Sequence, residues 1–445
     1  MAFPEIAVLS THRHPRLRYV CRVLTDWLGW RFVVTTDPTQ AGSDRFAAVL
    51  HYGIRGDTGG YRVPAHRFLS GAAPRPQDLS VTWLTETLPL FFAVGDEGFD
   101  LFSACFFALS RYEEYQPFTA DPHGRFPATE SHAHRNGYLD IPVAYRWALH
   151  LSNGLRDHYP RLGPVRQQPN AVRPTYDIDQ LFAWHYRGTR GLANVARDLL
   201  TGHPRRAAAH LRHRFLGTPS NDPFYAPFVR LLHAQLDAGY RPYIFWLLTD
   251  RRRREDNNPY PIPALQLQLM RELAERGATM GIHPGYASND NEDVLDREIR
   301  RFTEIFGHAP RHSRQHFLRL RFPDTLRRLR ARGISHDHTM GYADHPGWRA
   351  GTNLPFAWYD LERETPTGLT LHPFAFMDQT FKKYRALPPE VAVTQGKRLL
   401  NTTVGEVGIL WHNNTLTEWY GWEGYTGVLP CAEALRRHSA DGERG

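Results

Sequence analysis

The second half of the chain alternates short apolar segments with longer amphipathic segments, and this alternation limits the folds that it can adopt. The apolar segments have the length and composition of β-strands. There are seven of them, at residues 174–178, 241–249, 279–284, 311–317, 333–339, 370–377 and 405–412. Helical periodicity lies between several of these strands, at residues 262–277, 291–307 and 322–333. Because strands that alternate with helices form parallel sheets, the pattern predicts an α/β fold with seven β/α units arranged as a barrel.

A Pro-, Gln- and Asn-rich segment at residues 161–174 separates this region from the first part of the chain. Such a composition is typical of a linker between domains. We therefore predict a smaller α/β domain at residues 1–165, beginning with the order strand, helix, strand, strand, and a second domain at residues 174–440. In the first domain, the run RYEEY at residues 111–115 follows an apolar helix. We interpret it as a helix end whose charges face solvent.

Charge and cysteine content argue against several classes of protein. The formal net charge is +8, but lysine occurs only at three positions, so arginine supplies nearly all of the positive charge. We attribute this bias to genome composition and predict no nucleic-acid partner. The three cysteines fit neither a disulfide framework nor a CxxC metal site. Because no secretory signal and no apolar run of membrane-spanning length is visible, we expect a cytoplasmic protein without stable membrane insertion.

Polar side chains follow the predicted strands at their carboxyl ends. The first strand ends in Asp177 and Asp179, which point to the same side because strand side chains alternate. Later strands carry four more polar residues: His283, Arg314, His316 and His412. Taken singly, each has a structural interpretation, such as a cap, a turn or a satisfied core histidine. In parallel α/β folds the carboxyl ends of the strands meet at one rim, so together these residues predict a single site.

The residue types at this rim suit metal-dependent hydrolysis. Aspartate and histidine are ligands for a divalent ion such as Zn²⁺, which lowers the pKa of a water and polarises a carbonyl oxygen. A second carboxylate beside the ion can act as a general base, and a histidine across the site can protonate a leaving amine. An arginine next to the base would keep it ionised. The set therefore predicts hydrolysis of an amide or an ester.

These motifs resemble the polysaccharide deacetylases of the NodB-homology type, also called carbohydrate esterase family 4, over residues 175–415. TYDID resembles the family's first motif, which implies that Asp177 is the catalytic base and Asp179 a metal ligand. HPGYAS resembles the second motif, so His283 would bind the metal. RQHF resembles the third motif and would make Arg314 the residue that orients the base, while LWH would make His412 the general acid. The family's fold is an incomplete (β/α) barrel, which implies an incomplete (β/α)7 barrel here.

Two features depart from the family pattern. The family has a second histidine four residues after the first one of its second motif, and here that position is Ala287. The third metal ligand is then His316, which stands where the family has proline, or Ser288. The two aspartates are also separated by Ile178 rather than adjacent, a spacing that some relatives share. The resemblance implies a divalent metal, with Zn²⁺ as the preferred ion.

The resemblance also implies an acetylated sugar or glycan as the substrate, whose identity and linkage, N- or O-acetyl, stay open. We predict substrate contacts from Tyr286 and from Trp348 and Arg349, which could stack on a sugar and hydrogen bond with it. Trp348 could equally pack inside its own loop. Asp337 or the aromatic-rich segment 341–356 is the candidate for the rest of the pocket lining.

The N-terminal region resembles an uncharacterised domain that precedes deacetylase-like domains in bacterial proteins. The segments that carry this resemblance are DLFSACFFALSRYEEY and DPHGRFPATES. It implies an architecture and no activity.

Three functions compete at this point. A metal-dependent deacetylase explains all six polar residues at the rim. A non-catalytic sugar-binding or scaffolding protein on the same fold would explain the missing second-motif histidine. A glycosyltransferase that uses the DID sequence as a metal–nucleotide motif would leave His283 and His412 unexplained.

Overall fold

The computed structural model describes residues 3–55, 59–71, 73–187, 189–250 and 254–435. The end of the predicted second domain, residues 436–440, therefore lies outside the described residues. Within the described part, no helix is long and apolar enough to cross a membrane.

The N-terminal region is built on a parallel sheet of four strands in the order β2-β1-β3-β4. Its strands are β1 (Glu5–Ser10), β2 (Arg31–Thr35), β3 (Ala48–Tyr52) and β4 (Tyr61–Val63), and a separate antiparallel pair is formed by β5 (Thr82–Thr85) and β6 (Leu88–Leu90). The helices are α1 (Pro15–Leu28), α2 (Pro38–Ala41), α3 (Leu101–Leu109), α4 (His132–Arg135) and α5 (Val143–His158). Helix α1 ends at Gly29, whose φ of +77° is the left-handed conformation that glycine adopts at helix ends. The predicted order of strand, helix, strand, strand differs from the structure in one element, because the four-residue helix α2 lies between β2 and β3.

The charged run at residues 111–115 is buried, so the prediction that it faces solvent is wrong. Arg111, Glu113 and Glu114 are each less than 7% exposed. Arg111 Nε donates to Glu114 Oε1 at 2.8 Å, and Arg349 donates to both oxygens of the same carboxylate, to Oε1 at 2.8 Å and to Oε2 at 2.5 Å. The charges tolerate burial because they neutralise one another through hydrogen bonds.

The larger sheet has eight strands in the order β12-β13-β11-β10-β9-β8-β7-β14. Their bounds are β7 (Ala171–Ile178), β8 (Tyr243–Trp246), β9 (Thr279–Ile282), β10 (His312–Ser313), β11 (His336–Met340), β12 (Phe356–Asp360), β13 (Thr365–Pro373) and β14 (Glu406–His412). Seven of them run parallel, and β12 is antiparallel to β13 at one edge. The α/β class is therefore confirmed, while β12 was not predicted; only its first residue, Phe356, belongs to the segment 341–356 that was interpreted as pocket lining.

The predicted strand at residues 370–377 divides between two partners. Its first half belongs to β13, which pairs with β11. Its second half leaves β11 and contacts β14, because Ala375 N donates to Gly408 O at 2.9 Å and Leu410 N donates to Phe376 O at 3.1 Å. This link brings together β13 and β14, the two strands at opposite ends of the parallel run in the sheet.

Seven helices accompany the larger sheet: α6 (Thr189–Leu200), α7 (Pro204–Leu216), α8 (Tyr225–Asp237), α9 (Ala264–Glu275), α10 (Glu292–Phe306), α11 (Asp324–Ala331) and α12 (Pro389–Thr402). Helix α10 shows how local sequence sets their ends. The Asn291 side chain accepts from Val294 N at 3.2 Å as an N-cap, and acidic residues follow in the first turn. The helix ends at Gly307, which has φ +76°.

The two regions share one hydrophobic core. Buried side chains from both regions belong to a single cluster, and hydrogen bonds cross between them. Tyr19 Oη donates to Ala357 O at 2.8 Å, and Trp27 Nε1 donates to Pro355 O at 3.0 Å. The boundary at residues 161–174 stays a prediction, but the region before it packs against the second one rather than standing apart.

Candidate active site and metal centre

The polar residues predicted at the strand ends come together in one cleft of about 90 Å³. Strand β7 carries Asp177 and leads into Asp179, β9 leads into His283, β10 leads into His316, and β14 ends at His412. All five side chains line the cleft. The parallel strands place their carboxyl ends at the same rim, which explains the convergence of residues far apart in the chain.

Three of these side chains form a group that could hold a metal ion. One ligand atom from each of Asp179, His283 and His316 lies within 4.8 Å of the other two. The Nε2 atoms of His283 and His316 approach Asp179 Oδ1 at 3.2 and 3.5 Å. The Ser288 hydroxyl donates to Gly285 O at 2.7 Å. The approach of His316 Nε2 to Asp179 favours His316 over Ser288 as the third ligand, and this assignment stays a prediction.

The hydrogen bonds of the two imidazoles determine which nitrogen faces the aspartate. His283 Nδ1 lies 2.7 Å from Arg314 O, and a carbonyl can only accept, so Nδ1 carries a proton. His316 Nδ1 lies 2.8 Å from the Asp256 carboxylate and donates to it in the same way. Each neutral ring then directs the lone pair of Nε2 at Asp179. Lone pairs facing a carboxylate repel unless a cation lies between them, so the group fits a metal ion.

Two atoms of the group are buried without a hydrogen-bond partner among the described residues, namely Asp179 Oδ1 and His283 Nε2. Unpartnered buried polar atoms are costly, and a bound cation would satisfy both. Without an ion, a proton takes its place: burial acts to lower the pKa of His316, but the charges of Asp179 and Asp256 outweigh it and raise that pKa to about 10. The pKa of Asp179 lies well below its usual range, because the positive charge of His316 overcomes the effect of burial.

Asp177 does not belong to the ligand group and is held by an arginine. Arg314 is buried beneath the cleft and donates from Nη1 to Asp177 Oδ1 at 2.9 Å. Its remaining donors bond to Thr175 Oγ1 at 2.8 Å and to His338 O at 3.0 Å. Because all three branches of the guanidinium are occupied, Arg314 fixes the position of the Asp177 carboxylate.

His412 faces the ligand group from the opposite wall, with Nε2 4.0 Å from Asp179 Oδ2. Its Nδ1 donates to Asp378 Oδ1 at 2.7 Å, and Asp378 also accepts from the His412 backbone N–H at 2.9 Å. Burial lowers the pKa of His412, but the charge of Asp378 outweighs burial and raises that pKa to about 9. The ring is therefore protonated near neutral pH and directs an N–H into the cleft.

Two of the supporting carboxylates were not predicted. Asp378 directly follows the predicted strand at residues 370–377, so the rule that polar residues gather at carboxyl ends could have found it. Asp256 lies in a loop without any local signal; its Oδ1 accepts from His316 Nδ1 at 2.8 Å and from Tyr286 N at 3.0 Å. Beside this loop, burial raises the pKa of Glu298 to about 8, so the carboxyl that accepts from Gly285 N is largely neutral at pH 7.

Residues 6–160 match a family of unknown function, DUF7033. No curated protein matches. Among the solved structures that match, two are described as polysaccharide deacetylases and one as a carbohydrate esterase family 4 pseudoenzyme.

Three of these structures illustrate the level of similarity. A protein from Mycobacterium smegmatis assigned as a polysaccharide deacetylase is 16% identical over 62% of this chain and 85% of its own, with a TM-score of 0.36. A mutant of a carbohydrate esterase family 4 pseudoenzyme with restored enzymatic activity is 10% identical over 62% and 65%, with a TM-score of 0.30. The polysaccharide deacetylase Bc1974 from Bacillus cereus is 12% identical over 62% and 89%, with a TM-score of 0.29. At TM-scores below 0.5 these overlaps establish no function, and the function must be inferred from the site.

The residues predicted to contact substrate lie elsewhere. Trp348 and Arg349 are buried, at 1% and 2% exposure, and Arg349 is held by Glu114 at the contact between the two regions. Tyr286 does not line the cleft; its hydroxyl hydrogen bonds with His123 Nδ1 at 3.1 Å. Asp337 is buried and accepts from Ser313 and Thr339 side chains. Trp348, Arg349 and Asp337 are therefore buried packing residues outside the lining of this cleft, while contact of the substrate with Tyr286, Trp348 and Arg349 stays a prediction.

Other residues form the mouth of the cleft. Lys383, Tyr384 and Gln379 follow β13, while Arg125 comes from the N-terminal region. Arg125 donates to Phe317 O at 2.8 Å and to Tyr384 Oη at 3.0 Å. Sequence reasoning missed Arg125, because nothing local connects the turn-rich segment around it with a site almost 200 residues later.

Proposed function

We propose that this chain is a metal-dependent hydrolase that removes an acetyl group from an N- or O-acetylated sugar. In this proposal residues 174–440 form an incomplete (β/α)7 barrel and residues 1–165 a smaller α/β domain packed on it. The observation that carries the proposal is the convergence of the Nε2 atoms of His283 and His316 on Asp179 Oδ1, beside a second carboxylate held by Arg314 and opposite the protonated His412.

The donor set of one carboxylate and two imidazoles suits Zn²⁺ with a coordination position left open, and Asp179, His283 and His316 would hold the ion. When bound, the ion supplies a Lewis acid, which makes a water more acidic and polarises the acyl oxygen. The residues around it do the proton chemistry.

Asp177 takes the proton from the attacking water as general base. Arg314 fixes the orientation of that carboxylate through the 2.9 Å hydrogen bond. His412 gives its Nε2 proton to the leaving amine or alcohol of the sugar, and Asp378 holds the ring so that this proton points into the cleft. Base and acid thus stand on different walls, as cleavage of an acyl bond requires.

The size and lining of the cleft favour a small acyl group. Apolar walls from Leu318, Met377 and Leu410 lie beside the polar residues, and the volume is about 90 Å³. A methyl group gains by contact with such walls. Acetyl is therefore the acyl group whose removal we propose.

A sugar-binding or scaffolding protein without catalysis is the second candidate, because Ala287 replaces the ligand found in the family pattern. His316 offsets this loss by supplying a nitrogen from a neighbouring strand end. The two candidates differ in metal content and turnover.

The test is acetate release from N-acetylated and O-acetylated oligosaccharides by the zinc-loaded protein, measured together with bound metal. The deacetylase predicts one zinc per chain and acetate release that disappears in Asp177→Asn. The exposed Asp237→Asn should behave as wild type. A protein that binds zinc and sugar yet releases no acetate from any substrate class would support the second candidate.

A further inference from the structure

A second and larger groove, of about 870 Å³, opens beside the metal cleft. Gln379 and Lys383 line both cavities, so one ligand can occupy both at once. Gln379 is 9% exposed, and its Oε1 has no hydrogen-bond partner among the described residues. An unsatisfied amide at the junction is a position where a bound ligand would complete the hydrogen bonding.

The groove is positively charged. Its lining includes the four cations Arg187, Arg197, Arg254 and Lys383, and no carboxylate occurs among the lining residues that the structure describes. Arg187 is partly buried and donates to Asn257 O at 3.1 Å, which fixes its guanidinium against the wall, while the other three are exposed. Cations gathered in a concave surface concentrate anions, and guanidinium groups match the geometry of phosphate oxygens.

The remaining lining suits a sugar. Five carboxamides line the groove, at Gln180, Asn194, Asn257, Gln379 and Asn414. Carboxamides both donate and accept hydrogen bonds, as hydroxyl groups require. Three aromatic side chains, Phe224, Tyr420 and Trp422, add apolar surface. Positive charge together with carboxamides and aromatic rings suits a sugar linked to an anion better than a neutral polymer.

We propose that this groove binds a phosphate or diphosphate group attached to the acetylated sugar, so that the substrate is a phosphate-linked acetylated sugar. This inference rests on the proposed function, because it places the acetyl group of the same molecule in the metal cleft. A lipid-linked and a nucleotide-linked sugar share the diphosphate, and both would present it to the same cations.

The test measures binding, which does not require turnover. Zinc-loaded full-length protein carrying Asp177→Asn is titrated calorimetrically with N-acetylglucosamine and N-acetylglucosamine 1-phosphate. Charge-assisted hydrogen bonds predict that the phosphate ester binds at least about tenfold more tightly. Adding Arg187→Gln and Arg254→Gln should remove most of that preference without changing the affinity for the neutral sugar. Arg271→Gln, on the exposed face of α9, is the matched control and should change neither affinity.

The variants separate binding in the groove from binding to zinc. If phosphate bound to the ion alone, the two arginine substitutions would leave the preference unchanged, and the proposal would be wrong. Equal affinity for the two sugars, or no binding of either, would also overturn it. Titrations with UDP and with pyrophosphate distinguish a nucleotide-linked from a lipid-linked substrate. Tighter binding of UDP than of pyrophosphate indicates a nucleotide-linked sugar, and equal binding of the two indicates a lipid-linked sugar.

Acetate release is measured separately, so the two proposals fail in different ways. Arginine-dependent phosphate binding without any acetate release would contradict the hydrolase and leave the anion site in place. Acetate release that is equally fast with neutral and phosphate-linked sugars, and insensitive to the arginine substitutions, would contradict the anion site and leave the hydrolase.

Discussion

Substitution of Asp256 tests whether His316 is the third metal ligand and whether its orientation depends on this buried carboxylate. Asp256 is 1% exposed, and its Oδ1 accepts from both His316 Nδ1 and Tyr286 N. Removing such a support of a ligating histidine lowers metal affinity by about 10–100-fold. At 1.4 kcal/mol for each factor of ten, this corresponds to about 1.4–2.8 kcal/mol.

The geometry separates the contribution of charge from that of the hydrogen bond. Asp256→Asn can keep an oxygen at the Oδ1 position and retain both hydrogen bonds, so only the charge is lost. For this variant we expect the smaller loss of zinc affinity, about tenfold. Asp256→Ala removes the acceptor and leaves two buried donors without a partner, which costs about 1–3 kcal/mol each. We expect about a hundredfold loss of zinc affinity for this variant, together with a lower melting temperature.

The assay is zinc competition with a chromophoric chelator on the metal-free protein, with His316→Ala as the reference for a lost ligand. Circular dichroism checks that each variant is folded. The exposed Asp237→Asn controls for removal of one negative charge. Wild-type zinc affinity in a folded Asp256→Ala would refute the supporting role of Asp256, and wild-type affinity in His316→Ala would refute the ligand assignment itself.

Three further predictions follow from the same geometry. Asp177→Asn should abolish turnover with nearly intact zinc content, whereas Asp179→Asn should lose zinc, as elemental analysis and acetate release would show. Asp378→Asn removes the charge that raises the pKa of His412, so the alkaline limb of kcat/KM should move to lower pH by about 1–3 units. Glu114→Gln leaves a buried arginine without its carboxylate and should lower the free energy of unfolding in urea by about 3 kcal/mol.

Each of these predictions has an outcome that contradicts it. Zinc lost from the first aspartate variant and retained by the second would reverse the two roles. An unchanged alkaline limb would mean that Asp378 does not act on the general acid.

For Glu114, burial acts to raise the pKa but the charges of Arg349 and Arg111 lower it below the usual range. Its stabilising effect is therefore complete above about pH 4.5 and declines as the pH falls further.

The control for the stability measurement is Glu97→Gln, which breaks an exposed ion pair with Arg55. Exposed pairs contribute about 0–1 kcal/mol, so this variant should unfold nearly as wild type does. Equal losses in the two variants would contradict the special contribution of the buried pair.

Local pattern predicted the seven parallel strands and the five side chains that line the cleft, and the reason lies in strand geometry. Runs of apolar residues indicate buried strands, and the alternation of side chains along a strand places Asp177 and Asp179 on one side. Parallel strands bring their carboxyl ends to one rim. His283 and His412 follow from the same rule. No long-range information was needed for this part, because each strand end carries its own residue.

Tertiary structure alone decided which side chains pair across the chain. Glu114 and Arg349 meet across a separation of 235 residues, and no local pattern distinguishes them from solvent-exposed charges. Asp256 reaches His316 from a loop, and Arg125 reaches the cleft from the N-terminal region. Burial of a charge depends on the partner that neutralises it, and that partner becomes a neighbour only when the chain has folded.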